Sequence, residues 1–321
     1  MTELGPVYSR GRAYRARAEA RQREYRASVL RAGHGDWGHI LSPESADAGH
    51  NFLLPEAHDA ARTRELAGKG VAPRTFENML SSQAMCFNIF AALAARLELA
   101  TEVLAPFIPG LRAVTAIHLE HTPAADIFRD QSGLGGVDCD VLIEADTSGG
   151  VLVQVIETKF VEPEFSTCGF RKAGRAKKGQ DVCPDDVAVR DDRNACLYTS
   201  KKGYEYWRRT DEFDLLADGA LPATGCPFAG DHWQLWVNLA LAHTEGARRG
   251  ADHVRFAVCS SAQNTALLGD GGGLDAFRGL LREPEAVSLI DLEILVSHVR
   301  EVAPPQLAGW AAGLGARYAG I

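Results

Sequence analysis

The sequence predicts an α/β protein with a mixed central sheet flanked by helices. Three observations carry that expectation. VDCDVLIEA (137–145) and VLVQVIETKF (151–160) are β-type runs separated by the turn-forming DTSGG at 146–150. Upstream, Phe76, Leu80, Ala84, Phe87, Phe90, Ala94 and Leu97 recur at three- and four-residue spacing across 75–105, the period of a one-sided helix. Downstream, HWQLWVNLALAHTEGARRG (232–250) reads as a second helix, followed by another β-type run, HVRFAVCSS (253–261).

The remaining elements follow in order. Residues 10–31 hold eight arginines against two glutamates, a local charge of +6 in a chain of net charge −8, so the rest carries −14. Ala, Arg, Glu and Gln favour a helix there. Its apolar stripe of Tyr14, Ala18, Tyr25 and Val29 is thin, which predicts a solvated helix or arm, with a nucleic-acid-contacting arm as the alternative. Residues 32–72 read as loops and short helices. Thr75 suits the N-cap of the 75–105 helix, Pro106 ends it, and 112–120 reads as a strand. Residues 166–230 are polar, rich in Gly, Pro and Asp, and contain four of the seven cysteines. Residues 274–283 and 306–320 read as helices. The expected organisation is a basic, helical or extended region over 1–74 and an α/β domain over 75–321 carrying an insertion at 166–230.

Composition bounds the function. A chain of 321 residues that is 46% hydrophobic and 24% charged can bury a large core, which excludes disorder, collagen-like repeats and a small disulfide scaffold. The acidic balance argues against nonspecific coating of nucleic acid but leaves room for a local binding channel. No apolar run approaches the roughly 20 residues that cross a bilayer. The first residues lack the apolar run of a signal peptide. With no secretory segment, the cysteines point to a reducing, cytoplasmic setting.

The chemistry lies in the two β-type runs. One carries Asp138 and Asp140, and the other ends in Glu157, Thr158 and Lys159. Residues two apart share a strand face, so Glu157 and Lys159 point into one pocket while Thr158 faces away. In a hairpin one of the two aspartates approaches that pocket. Asp140 and Glu157 are oxygen ligands suited to Mg²⁺ or Mn²⁺, and the backbone carbonyl of Thr158 is a further candidate. Such a cation activates water against a phosphodiester, and Lys159 is placed to orient that water or stabilise charge on phosphate. A solvated Glu-x-Lys pair is the bland alternative, but here the triplet ends an apolar run, where burying charge needs compensation.

With GVDCDVLIEA (136–145) followed by VQVIETKF (153–160), the sequence resembles the PD-(D/E)XK nuclease superfamily. The resemblance implies a restriction-endonuclease-like core in which Asp140 takes the acidic position, with Asp138 as the alternative, and Glu157 and Lys159 complete the motif. The literal Pro-Asp pair is absent. Within the superfamily, RecB-like members often carry a supporting Gln on the helix after the lysine strand, which corresponds here to Gln234. The Tyr four residues later in that pattern is replaced by Asn238. An upstream helix often adds a Glu near the metal, for which Glu77 and Glu98 are candidates and Gln83 a polar substitute. NMLSSQAMCFNIF (78–90), DVLIEA (140–145), IETKFVEPEFSTCG (156–169), the cysteine cluster and WQLWVNLALA (233–242) together are similar to a family of inferred restriction endonucleases within that superfamily.

Cys168, Cys183, Cys196 and Cys226 all lie between the lysine strand and the Gln234 helix. Four thiolates suit structural Zn²⁺ or a [4Fe–4S] cluster, although no CxxC pair is present, and separate packing cysteines are the alternative. Cys86, Cys139 and Cys259 sit in apolar runs and read as small core residues. His118 and His121 have a metal-compatible spacing in a segment that reads as β, which favours a structural role. His232 lies close enough to Gln234 to be a cleft candidate. Arg171, Lys172, Arg175, Lys177 and Lys178 form a basic run without an acid. Tyr198, Lys201, Lys202, Tyr204, Tyr206, Trp207, Arg208 and Arg209 form a second, basic-aromatic one. Cations contact phosphates and aromatics stack on bases, so both runs are candidate nucleic-acid contacts. No GxSxG or GxxxxGK[ST] motif is present.

Together these observations predict Mg²⁺-dependent hydrolysis of DNA, endonucleolytic and in a restriction or defence setting, with DNA as partner, no membrane, and a homodimer as an arrangement such enzymes use. The alternatives are a catalytically weak nuclease-fold binding protein and a structural metalloprotein whose cysteine insertion mediates contacts.

Overall fold

A computed structural model describes residues 3–8, 12–68, 70–130, 137–171, 181–269 and 273–321. The opening basic segment forms helix α1 (Ala13–Tyr25), extended by a π turn over Arg26–Leu30. It is not solvated all round. Tyr14 and Ala18 enter the main core, and Gln22 and Arg26 are fully buried. Helices α2 (Pro43–Asp47) and α3 (Pro55–Leu66) follow.

The helix expected over 75–105 is three helices: α4 (Arg74–Glu77), α5 (Ser82–Ala94) and α6 (Leu97–Leu104). The N-cap of α5 is Ser81, whose side chain accepts from the Ala84 N–H, while Thr75 is buried inside α4. Ser81 and Ser82 favour a cap over a helix interior, and that local preference interrupts the apolar periodicity.

Strands β1 (Leu111–His121), β2 (Cys139–Thr147) and β3 (Gly150–Thr158) form an antiparallel meander. The β2–β3 connection tightens to Ser148 and Gly149. Gly150 adopts φ +124°, and a Cβ there would lie 2.3 Å from Asp252 Oδ2, so the turn demands glycine. Helices α7 (Leu197–Lys202) and α8 (Tyr206–Glu212) lie between β3 and α9 (His232–Arg249), which ends at Gly250 with φ +65°.

Strand β4 (His253–Ser260) pairs parallel with β3, and β5 (Val287–Asp291) pairs parallel with β4. The result is a mixed five-stranded sheet in the order β1-β2-β3-β4-β5. Between β4 and β5 lie α10 (Thr265–Leu268) and α11 (Gly273–Arg278), the latter shorter than the expected 274–283. Helices α12 (Leu292–Val302) and α13 (Ala308–Tyr318) close the chain. The β5–α12 stretch has no counterpart in the sequence reading; its strand is only five residues long and runs directly into the helix.

The two faces of the sheet carry different cores. Ile143, Ala145, Leu152 and Ile156 pack with α5, α6, α12 and α13, while Leu142, Val153 and Val155 pack with α8, α9 and α11. Among the described residues no single helix is long and apolar enough to cross a membrane. The one pair that passes together, α5 with α6, bends by 117°, and α5 lies in the core.

Candidate active site

The register of the meander builds the site. Val141 faces Ile156 and Leu119 faces Val141, so the next rung sets Glu120, Asp140 and Glu157 side by side across β1, β2 and β3. Cross-strand partners project to the same face. These three residues form an acidic row at the end of the sheet, above the start of α9.

Each carboxylate is held differently. The Thr158 N–H and hydroxyl donate to Asp140 Oδ2 at 2.7 and 2.6 Å. Gln234 Nε2 donates to Glu157 Oε1 at 2.7 Å, and Asn238 Nδ2 donates to Glu157 Oε2 at 2.8 Å. Residues four apart share a helix face, so α9 presents both amides to one carboxylate. Gln234 Oε1 accepts from the Ser166 N–H at 2.9 Å, which fixes the orientation of the amide. Lys159 Nζ lies 3.0 Å from Glu157 Oε1, with both side chains buried. Glu120 is 4% exposed, and its Oε1 has no hydrogen-bond partner.

Burial, then the Glu157 charge, pushes Asp140 up to about 7. Burial, then Asp140, pushes Glu120 up to about 9. The Lys159 ammonium is held above its usual value: burial works against it, but Glu157, Glu162 and Asp140 outweigh that cost. Three buried carboxyls share one lysine, so Asp140 and Glu120 are pushed toward their protonated forms, and positive charge brought beside them would favour the ionised forms.

Asp140, Glu157, Lys159 and Gln234 line one open cleft of about 940 Å³, together with Gln83, Arg74 and Arg171. Gln83 thus occupies the position sought for an upstream polar residue. Glu77 and Glu98 do not: both are exposed outside the cleft, because α4 and α6 are separate helices that do not continue the face of α5. Asp138 ends beside Glu120, since a Cβ on Gly70 would lie 3.3 Å from Asp138 Oδ2 and 3.2 Å from Glu120 Oε2. Thr158, expected to face away from the pocket, is buried and anchors Asp140 through both its N–H and its hydroxyl, because the Asp140 side chain reaches across to the end of β3. Glu120 itself was missed. It lies inside HLEH, where the histidines draw attention, and only the register brings it opposite Asp140.

Those histidines belong to a charge network. His118 Nε2 lies 2.9 Å from Glu144 Oε1 and His121 Nε2 lies 3.0 Å from Glu245 Oε1. His232 Nδ1 approaches the Pro227 carbonyl at 3.3 Å and does not line the cleft. In the second basic run, Tyr204, Tyr206 and Trp207 are buried, and Tyr198 stacks on Tyr204 and Trp233. These aromatics are core and not a base-stacking platform, because α7 and α8 turn them toward α9. Arg208 pairs with Glu205 and Arg209 with Glu212, while Lys201 and Lys202 stay exposed. Arg171 lines the cleft and pairs with Asp185. Lys172, Arg175, Lys177 and Lys178 lie outside the described residues.

Cys168, Cys183, Cys196 and Cys226 all line one small cavity of about 20 Å³, walled by Phe228, Trp233 and Trp236. Burial, followed by the neighbouring Cys196, raises Cys183, and burial is the main cause that raises Cys168 to about 11 and Cys226 to about 12. Among the described residues, no three His, Cys, Asp or Glu side chains are already arranged as a metal-holding group.

A family model of the PD-(D/E)XK nuclease superfamily matches residues 9–320. The chain belongs to the PD-(D/E)XK nuclease superfamily. Neither the curated proteins nor the solved structures gave a match. The superfamily match includes α1 and α13, so the helices outside the sheet belong to the matched unit as well.

Proposed function

We propose that this PD-(D/E)XK protein hydrolyses DNA phosphodiester bonds internally, with Mg²⁺ or substituting Mn²⁺, in restriction or DNA defence. The observation that carries the reading is the meeting of Asp140, Glu157, Lys159 and Gln234 in one open cleft. The donor set fits the cation. Mg²⁺ is commonly held by one or two carboxylates, with water and substrate phosphate filling the other positions. Asp140 and Glu157 supply those carboxylates, and the Thr158 carbonyl is an added oxygen. When bound, the cation polarises the phosphate and acidifies water.

The chain's own residues do the rest. Thr158 aims Asp140, while Gln234 and Asn238 hold both oxygens of Glu157 against rotation. Lys159, kept protonated by the acids around it, orients the attacking water and stabilises charge developing on the phosphate. Arg171 and Arg74 on the cleft wall meet the phosphate backbone, joined by Lys201 and Lys202 and by the basic run at 172–178.

The test is cleavage of linear, single-stranded and closed circular DNA with Mg²⁺ or Mn²⁺ by wild type, D140N, E157Q and K159M. Each variant is expected to lose about 100-fold or more in rate. Cutting unchanged in all three would overturn the mechanism, and resistance of every circular substrate would overturn internal cutting.

A second proposal concerns the insertion: its four cysteines hold a metal through their thiolates, as Zn²⁺ or an iron–sulfur cluster. The observation favouring it is that four cysteines spread over 168–226 reach one cavity, whereas Cys86, Cys139 and Cys259 are buried elsewhere. Four ionised thiols there would repel one another, and a bound cation removes that cost.

A further inference from the structure

The basic opening helix α1 has no part in the mechanism above, and its arginines divide into two sets. Arg23 donates to the carbonyls of Leu4 and Gly5, and Arg26 to that of Glu3, so both pin residues 3–8 along the helix. Buried Glu19 accepts from the Tyr8 N–H at 2.6 Å. The Gly38 N–H donates to the Pro6 carbonyl at 2.7 Å, and a Cβ on Gly38 would lie 2.2 Å from the Leu4 carbonyl oxygen, so the loop over 34–41 closes on the same segment. Arg12 and Arg15 do none of this. Among the described residues they make no hydrogen bond or ion pair, and the acids nearest that face in the chain, Glu3 and Asp36, pair with neither. Arg15 stands over the Tyr8 ring, 5.3 Å from its centroid, and Tyr8 meets Trp37 edge-on at 5.3 Å. Trp37 is 38% exposed, whereas Trp207, Trp236 and Trp310 are at most 2% exposed. A tryptophan carries enough apolar area that packing normally covers it. Here an open indole and two unpaired guanidinium groups share one face, on a segment held rigid from beneath.

That face is tied to the cleft. The Met79 N–H donates to the His39 carbonyl at 3.1 Å and the Leu41 N–H to the Glu77 carbonyl at 2.8 Å, so the loop carrying Trp37 is joined to the chain between α4 and α5. The same stretch is flanked by Arg74, Ser82 and Gln83 of the cleft wall. The path from Trp37 through His39 and Met79 to Ser82 is at most about 25 Å, at the reach of extended chain. We propose that Trp37, Arg12 and Arg15, backed by Tyr8, form a platform for single-stranded DNA, with the arginines on phosphates and the indole stacked on a base. The proposal rests on the DNA-cleaving reading for the identity of the strand, and it adds a surface outside the acidic row that holds the strand beside the cleft. Cations that follow the backbone and an aromatic face that accepts any base are the chemistry of single-strand binding. Bases inside a duplex have both faces covered by their neighbours, so the open ring favours a strand over a duplex.

The experiment reads binding apart from cutting. Fluorescence anisotropy of labelled single-stranded and blunt duplex DNA is followed in chelator over a salt series. The full chain is compared as wild type, R12A/R15A, W37A, W37F and, for a charge lost at the far end of the helix, R31A. Single strand is expected to bind more tightly than duplex. W37A is expected to weaken that binding about fivefold or more, and W37F to restore most of it. R12A/R15A is expected to weaken it too, with the slope of log affinity against log salt shallower by about 1.4 for two phosphates, a slope that W37A leaves unchanged. R31A is expected to bind as wild type does. Wild-type affinity in both W37A and R12A/R15A, a loss in R31A equal to that in R12A/R15A, or tighter binding of duplex overturns the platform. Should W37A not fold, W37L keeps the apolar bulk without the stacking face, and wild-type affinity in W37L overturns the stacking. Cutting assays with Mg²⁺ separate the two readings. Cutting by wild type, with binding unchanged in the variants, overturns the platform alone. Binding through the platform without cutting by wild type overturns the cleavage reading alone, and a wild type that neither binds nor cuts overturns both.

Discussion

At the residue scale, the site is a matter of who holds each carboxylate oxygen. Glu157 accepts from Gln234 and Asn238 of α9 and pairs with Lys159, just past the end of β3. Asn238 stands one helix turn after Gln234, and its short amide reaches Glu157. N238A removes one donor from a buried carboxylate. It is expected to cost about 1–3 kcal/mol in chemical denaturation of the metal-free protein and to slow cleavage, while N238Q retains part of both. An N238A protein as stable and active as wild type would show that Gln234 alone positions Glu157. Asp140, Glu157 and Lys159 were legible because strand alternation and a short motif place them together, and Gln234 was legible only through the family resemblance. Glu120 was not legible, because nothing in HLEH announces which residue of β2 it will face.

At the element scale, the region between β3 and α9 changed most between sequence and structure. Its tyrosines and tryptophan read as an exposed stacking surface, yet Tyr206 and Trp207 pack against Trp236 of α9. Aromatic residues carry large apolar area, and that area is buried when a helix stands across from it. The insertion thereby joins the core on the α9 face of the sheet, with Cys183 and Cys196 in the same cluster. Elemental analysis with an ultraviolet-visible spectrum is expected to find about one zinc per chain or an iron–sulfur absorption, and a C183S/C196S double variant is expected to lose either. A fully folded, metal-free preparation with unchanged melting on chelation would overturn the thiolate site. The long helix expected over 75–105 shows the same limit of local reading. Its periodicity was real, but Ser81 and Ser82 cap a new helix within it.

At the scale of the whole molecule, the termini and the sheet are one unit. Arg317 of α13 donates to Gln22 of α1 at 2.9 Å and to the Asn51 carbonyl at 2.6 Å, so the basic opening segment is bound to the far end of the chain. The buried charges also give the molecule a pH optimum. Asp140 and Glu120, raised to about 7 and 9, hold protons when folded that they release when unfolded above the ordinary carboxylate range. The metal-free protein should therefore lose stability as pH rises toward 9. His121 and His243, lowered by burial from 6.5 to about 4, are neutral when folded and charged when unfolded, so their contribution to stability falls as pH drops below 6.5. Thermal unfolding in chelator is expected to change little between about pH 4.5 and 5.5, where the two effects offset, and to fall above about pH 6. Adding Mg²⁺ should reduce the loss on the alkaline side, and a flat profile from pH 6 to 9 in chelator would contradict the charged row.

The amino-acid sequence by itself determined the local pieces: the β2–β3 hairpin with its glycine turn, the amphipathic α9, and the carboxylate-lysine motif that both the alternation of strands and the family resemblance single out. Those features depend on neighbours a few residues apart, where backbone periodicity and turn chemistry decide. Tertiary structure alone decided the rest. It set Glu120 beside Asp140, brought cysteines from 168 to 226 into one cavity, turned the aromatic run inward, and tied α1 to α13. Each of these pairs residues distant in sequence, and their contacts follow from strand register and helix packing, which no local pattern encodes.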